Sequence, residues 1–108
     1  DHDHVIVEGS GGLLVPVSRD VLMVNWVVEL GLSLVLVVSN RLGCLNHTFL
    51  TLDYCATHKI PVVSVVINHC DASLDPLIVE DNITQIRSAF HGPVELVDYA
   101  EGVAINEA

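Results

Sequence analysis

Lysine is nearly missing from this sequence of 108 residues: Lys59 stands alone, and Arg19, Arg41 and Arg87 complete the basic set. Against 14 acidic residues this leaves a formal net charge of −10. A nucleic-acid groove or an anionic membrane surface needs clustered Lys and Arg, so both are excluded as partners. No G-x-x-x-x-G-K-[ST] phosphate loop occurs, so the chain offers neither the phosphate-gripping lysine nor the metal-binding hydroxyl of that motif. Cysteine is scarce too. Cys44, Cys55 and Cys70 are an odd number with no close pair, which fits reduced thiols in a cytoplasmic protein better than a disulfide framework. No basic, then apolar, signal segment opens the chain. Nor is there an unbroken membrane span: Asn25, Glu29 and Gly31 interrupt the apolar stretch from Val21 to Val38, which reads as helix, turn and strand.

What is abundant is apolar surface. Hydrophobic residues make up 51% of the chain and charged residues only 17%. A domain this small has much surface for its volume and should be more polar. The excess implies that more chain or a partner covers part of it, so the expectation is one partial domain over residues 1–108.

The stretch that organises the chain is Val5-Ile6-Val7-Glu8-Gly9-Ser10-Gly11-Gly12. Its apolar run, from His4 to Val7, predicts a buried parallel strand. A carboxylate followed by glycines can hold a hard cation while nearby amides face phosphate oxygens; an ordinary strand-to-loop turn with an exposed Glu is the alternative. The preceding Asp1-His2-Asp3-His4 alternation could bind a metal or simply be a solvated end leading into the strand. Leu13 to Val17 contains Pro16 and reads as an irregular connection or an edge segment.

Asp20 is placed to cap a helix over Val21–Leu30, with Gly31 as its stop. Apolar residues on nearly every side predict heavy burial of that helix. A strand over Leu34–Val38, apolar at successive positions, should be covered on both faces. The next helix spans about Cys44–His58, with Leu45, Phe49, Leu52 and Ala56 as its stripe. A strand over Val62–Ile67 ends at Asn68. Asp75-Pro76 then starts a third helix with the stripe Val79, Ile83, Ile86 and Phe90, and Pro93 to Val97 is a last short strand. The tail from Asp98 to Ala108 reads as poorly ordered or packed on another chain.

Strand and helix alternate, so the predicted fold class is α/β, a parallel sheet with flanking helices. Ligands of such sheets lie beyond the carboxyl ends of the strands. Those ends carry Glu8–Gly12, Asn40–Gly43, Asn68-His69 and Val97–Tyr99, all expected on one edge.

Two stretches, Val7-Glu8-Gly9-Ser10-Gly11-Gly12-Leu13-Leu14-Val15-Pro16 and Leu42-Gly43-Cys44-Leu45-Asn46-His47-Thr48, resemble the C-terminal half of dethiobiotin synthetases. Val66-Ile67-Asn68 follows at the family's distance. The resemblance implies the C-terminal half of a P-loop NTPase-like domain whose upstream N-terminal half, with the phosphate loop, is missing here. It implies ATP and Mg²⁺ as cofactors, 7,8-diaminopelargonate and CO₂ as substrates, and a homodimer. In that family the diamine is carboxylated, the carbamate is phosphorylated by ATP, and the ureido ring closes with loss of phosphate. Carried over by position, Glu8 resembles the Mg²⁺ ligand, and Gly9, Ser10 and Gly11 the loop that touches ATP. Asn68 resembles the adenine reader, with His69, Val97, Asp98 and Tyr99 beside it. Gly43, Cys44, Leu45 and Asn46 resemble the helix start that binds the substrate carboxylate across the dimer. Two departures stand out. His69 replaces an Asp common in the family, and Val97-Asp98-Tyr99 lacks the usual Pro.

The expectation is thus part of an ATP-dependent cyclo-ligase, inactive without its upstream half. Two alternatives remain: an amide ligase of the same fold, of the cobyrinic acid synthase type, and a non-enzymatic dimerisation half-domain.

Overall fold

The structure, a computed structural model, describes residues 3–9, 11–69 and 71–98. Ser10, Cys70 and Tyr99, with the expectations attached to Asp1, His2 and the tail from Tyr99 on, lie outside the described residues. The chain divides into two compact units, residues 1–33 and 34–108.

In the first unit, Val5, Ile6 and Val7 belong to no strand and are exposed, Ile6 to 92%. The expected buried strand is therefore not formed. An apolar run becomes a strand only where a neighbour accepts its backbone groups, and no strand pairs with this one among the described residues. Leu13 to Val17 runs back against the start of the helix. Pro16 and Leu22 form an antiparallel bridge, flanked by N–H bonds from Met23 to Val15 C=O and from Val24 to Leu13 C=O, both 2.8 Å.

Helix α1 spans Met23–Glu29, two residues later than expected, and Asp20 does not cap it. The Val17 N–H donates to Val21 C=O at 2.8 Å, which holds Val21 outside the helix. The cap comes from within: Asn25 Oδ1 accepts the Leu22 N–H at 2.7 Å. Gly31 ends the helix as expected, through paired bonds from Gly31 N–H to Val28 C=O and Leu32 N–H to Val27 C=O. All-round burial is not found. Val24 and Val27 are buried, whereas Trp26, Val28 and Leu30 are exposed.

The second unit is a three-stranded parallel sheet in the order β1-β2-β3, with β1 at Leu34–Ser39, β2 at Val62–Asn68 and β3 at Val94–Val97. The crossovers are helices α2, Cys44–Thr57, and α3, Pro76–Ala89. Because the order advances one way, two crossovers of one hand put both helices on the same face. One core results: Val38, Val65 and Ile67 from the sheet, Cys44 from α2 and Ile86 from α3, with Phe49, Leu52 and Ile83 packed around them. Pro76 starts α3, and Asp75 Oδ1 accepts the Leu77 N–H at 2.9 Å, as the sequence predicts.

Two expectations hold only in part in this unit. Leu45, Phe49 and Leu52 of the expected α2 stripe pack against the core, but the fully buried line is Cys44, Thr48 and Cys55, one residue earlier, and Ala56 is exposed. Thr48 can enter the core because its hydroxyl donates to Cys44 C=O at 2.8 Å. Strand β1 is covered on one face only, leaving Val35 and Val37 exposed. No helix of the described residues is long and apolar enough to cross a membrane.

Candidate functional site

The carboxyl ends of β1, β2 and β3 meet at one edge of the second unit. Register pairs Ser39 with Asn68, and Asn68 with Val97. Past the last pairs, the Asn40 N–H donates to Asn68 C=O at 2.9 Å and the His69 N–H to Val97 C=O at 2.8 Å. Asn40, Asn68, His69 and Val97 thus stand side by side. Ile67 faces the helices in the core, so alternation turns the Asn68 side chain to the opposite, uncovered face. It is half-buried there, while Val97 and Asp98 are exposed.

His69 is oriented locally. Its Nε2 lies 2.9 Å from Asp71 C=O, and since a carbonyl only accepts, Nε2 carries the proton. The turn beyond is tied by Asp71, whose Oδ1 accepts the Ser73 hydroxyl at 2.6 Å and the Ser73 N–H at 2.9 Å. Those two bonds, the hydroxyl first, hold the Asp71 carboxyl below its usual range.

After β1 the chain turns through Asn40–Gly43 into α2. Gly43 is the residue before the helix, with φ of +93° in the left-handed region. A side chain there has room, since nothing lies within 4 Å of an added Cβ, but its backbone would be strained. Gly43→Ala is expected to lower stability by roughly 1–2 kcal/mol, measured as a shift of the urea midpoint; an unchanged midpoint would show that the turn relaxes freely.

The four residues expected at the helix start are not equivalent. The Cys44 N–H is used, donating to Arg41 C=O at 3.1 Å, and its side chain is buried in the core. The Cys44 amide and side chain are thus both engaged within the chain. Leu45 and Asn46 follow in the first turn, where N–H groups have no partner inside a helix. They are the anion donors this end can offer.

Sequence reading placed Asn40 at this edge without foreseeing its burial, and missed Asn82 behind it. Asn40 is 1% exposed and Asn82, on α3, 5% exposed. Asn82 Nδ2 donates to Asn40 Oδ1 at 2.9 Å and to Arg41 C=O at 3.2 Å, and Asn40 Nδ2 donates to Val79 C=O at 3.3 Å. The signal was present: Asn82 interrupts the stripe between Val79 and Ile86 with a polar group.

Glu8, Gly9 and Gly11 lie in the first unit. Glu8 is exposed. Gly11 has φ of +87°, and a Cβ added there would meet Val15 Cγ2 at 2.9 Å, so torsion and space both require glycine. Among the described residues no three His, Cys, Asp or Glu side chains converge as a metal site. A lone carboxylate fits Mg²⁺ when phosphate oxygens and waters complete the octahedron.

Comparison with known proteins decides the family, since the model of an AAA domain matches residues 1–97. The chain belongs to the AAA domain family. Curated relatives of this AAA domain include the ATP-dependent dethiobiotin synthetase of Chlorobaculum tepidum, 48% identical over 67 residues, which is 62% of this chain and 28% of that protein. The Nitrosopumilus maritimus synthetase is 34% identical over 70 residues, 65% of this chain and 31% of its own length. That of Bacillus thuringiensis is 39% identical over 103 residues, 94% of this chain and 42% of that protein. The AAA domain thus spans between 28% and 42% of the length of these relatives.

Proposed function

We propose that this AAA domain is the C-terminal portion of an ATP-dependent dethiobiotin synthetase, which forms the ureido ring from 7,8-diaminopelargonate, CO₂ and ATP. The observation that carries the reading is the shared edge: Asn68, His69 and Val97 stand beside the Gly43 turn, with the Leu45 and Asn46 amides at the start of α2 unpaired among the described residues. A carboxamide at a strand end offers donor and acceptor together, as a purine edge requires. Leu45 and Asn46 amides at a helix start suit a carboxylate. The 31–48% identity to dethiobiotin synthetases supplies the substrate class.

In this reading Glu8 holds Mg²⁺, whose charge, when bound, neutralises phosphate oxygens, and Gly9, Ser10 and Gly11 line the triphosphate. Asn68 reads the base, flanked by His69, Val97, Asp98 and Tyr99. Gly43, Leu45 and Asn46 receive the substrate carboxylate, supplied across a homodimer, and Cys44 contributes its place in the turn. The phosphate loop and its lysine belong to an N-terminal half outside these 108 residues. Catalysis would come mainly from positioning and charge neutralisation. The buried Cys44 and Cys55 thiols suit a reducing cytoplasm.

The complete gene product, given 7,8-diaminopelargonate, bicarbonate and Mg-ATP, should form dethiobiotin, detected by its mass. No product, with amidation of a cobyrinic acid substrate instead, would replace this reading by the amide ligase. The purified 108-residue chain alone is expected to release phosphate from ATP at the background rate. Mg²⁺-dependent turnover by that chain would show that the phosphate loop is dispensable.

A further inference from the structure

We infer that Asn82 is a positioning residue, holding from α3 both the turn that starts α2 and the strand end that carries Asn68. The inference rests on the reading of these two places as carboxylate and base contacts. Its physical basis is where the carboxamide donors of the cluster go. Asn82 has two Nδ2 hydrogens: one goes to Asn40 Oδ1 and the other to Arg41 C=O. That same Arg41 carbonyl accepts the Cys44 N–H, so Asn82 grips the atom on which the first turn of α2 closes. Asn40 in turn donates its N–H to Asn68 C=O and its Nδ2 to Val79 C=O. A single side chain on α3 therefore reaches both places through one intermediate residue each.

Packing alone does not ask for this arrangement. Asn82 lies one turn before Ile86, on the face that α3 turns to the core, where leucine would fill the space without burying an amide. A buried carboxamide is unfavourable unless fully paired. Here the partners of Asn82 are the β1–α2 loop rather than its own helix, and hydrogen bonds, unlike apolar contacts, fix direction as well as distance. Asn82 touches neither proposed ligand and acts through Arg41 and Asn40.

The test uses the complete protein with Asn82→Leu, which keeps the bulk and removes both donors. Asn82→Ala, smaller, uncharged and also lacking them, serves where leucine does not fold. Two readouts separate the inference from the functional reading. In ¹⁵N spectra the amides of Asn40, Cys44, Leu45, Asn46 and His69 should shift, and the hydrogen-bonded ones, Asn40, Cys44 and His69, should exchange with solvent about tenfold faster, as expected for one lost buried hydrogen bond. Changes confined to α3 would overturn the inference whatever the protein's reaction. In kinetics, KM for the carboxylate substrate and for ATP should each rise about tenfold while kcat changes far less. A fall in kcat that follows the melting temperature, with both KM values unchanged, would mark Asn82 as merely structural and also overturn it. Shifted amides in a protein whose unmodified form binds neither ATP nor the diamine would uphold the clamp and refute the ligand assignment instead.

Discussion

Replacing Ile86 by alanine should lower the unfolding free energy by about 2–5 kcal/mol, the range for truncating a buried aliphatic side chain. Ile86 is 0% exposed and is the deepest contribution of α3 to the core formed with Val38, Cys44, Val65 and Ile67. Within the second unit α2 and α3 occupy the same face of the sheet, and Val35 and Val37 on the other are exposed, so no second layer of this unit makes up the loss. Small domains unfold at the lower end of about 5–15 kcal/mol, so the variant should populate its unfolded state measurably at room temperature. Urea titration followed by far-UV circular dichroism gives the number, and a loss below 1 kcal/mol would contradict the one-core description. The matching control is Val37→Ala on the exposed face, for which a change within about 0.5 kcal/mol is expected.

The second large effect concerns ligand binding. In the complete enzyme, Asn68→Ala should raise KM for ATP roughly 10- to 100-fold, the equivalent of losing hydrogen bonds worth about 1–3 kcal/mol. Stability should barely move, because the bond that ties Asn68 to the Asn40 loop is made by its backbone carbonyl, which alanine retains. KM for the diamine should stay within about twofold, since its proposed contacts are separate amides on α2. Equal losses for both substrates, or an unchanged KM for ATP, would remove Asn68 as the base contact.

The second unit was the legible part of the sequence, and its chemistry explains why. Asp75-Pro76 marks a helix start by two independent means, a side-chain acceptor and a fixed φ. The stripe of Ile83, Ile86 and Phe90 has one period that no strand can satisfy. The edge carrying Asn68 and Val97 followed from topology once helices and strands alternated. Misreadings came where the same residues can do two things. Val5-Ile6-Val7 is apolar whether or not a strand lies beside it, and pairing is not written in the run itself. Asp20 is a good cap, but backbone bonds within Val17–Val21 claimed the chain first. On α2, Thr48 looked polar and became core by turning its hydroxyl onto its own helix. Asn82 escaped notice because hydropathy counts an amide as a surface group, whereas its partners come from residues about 40 positions away.

In the 108-residue chain taken by itself, the exposed side of the sheet also governs behaviour as a solute. Exposed valines on β1, together with Ile6 and Trp26 on the first unit, attract like surfaces on neighbouring molecules, while the net charge of −10 drives those molecules apart. Added salt weakens the second force, since the screening length falls to about 8 Å at 0.15 M, and excluded salts such as sulfate strengthen the first. Concentrated stocks should therefore stay clear in dilute buffer above the isoelectric region and cloud early in ammonium sulfate.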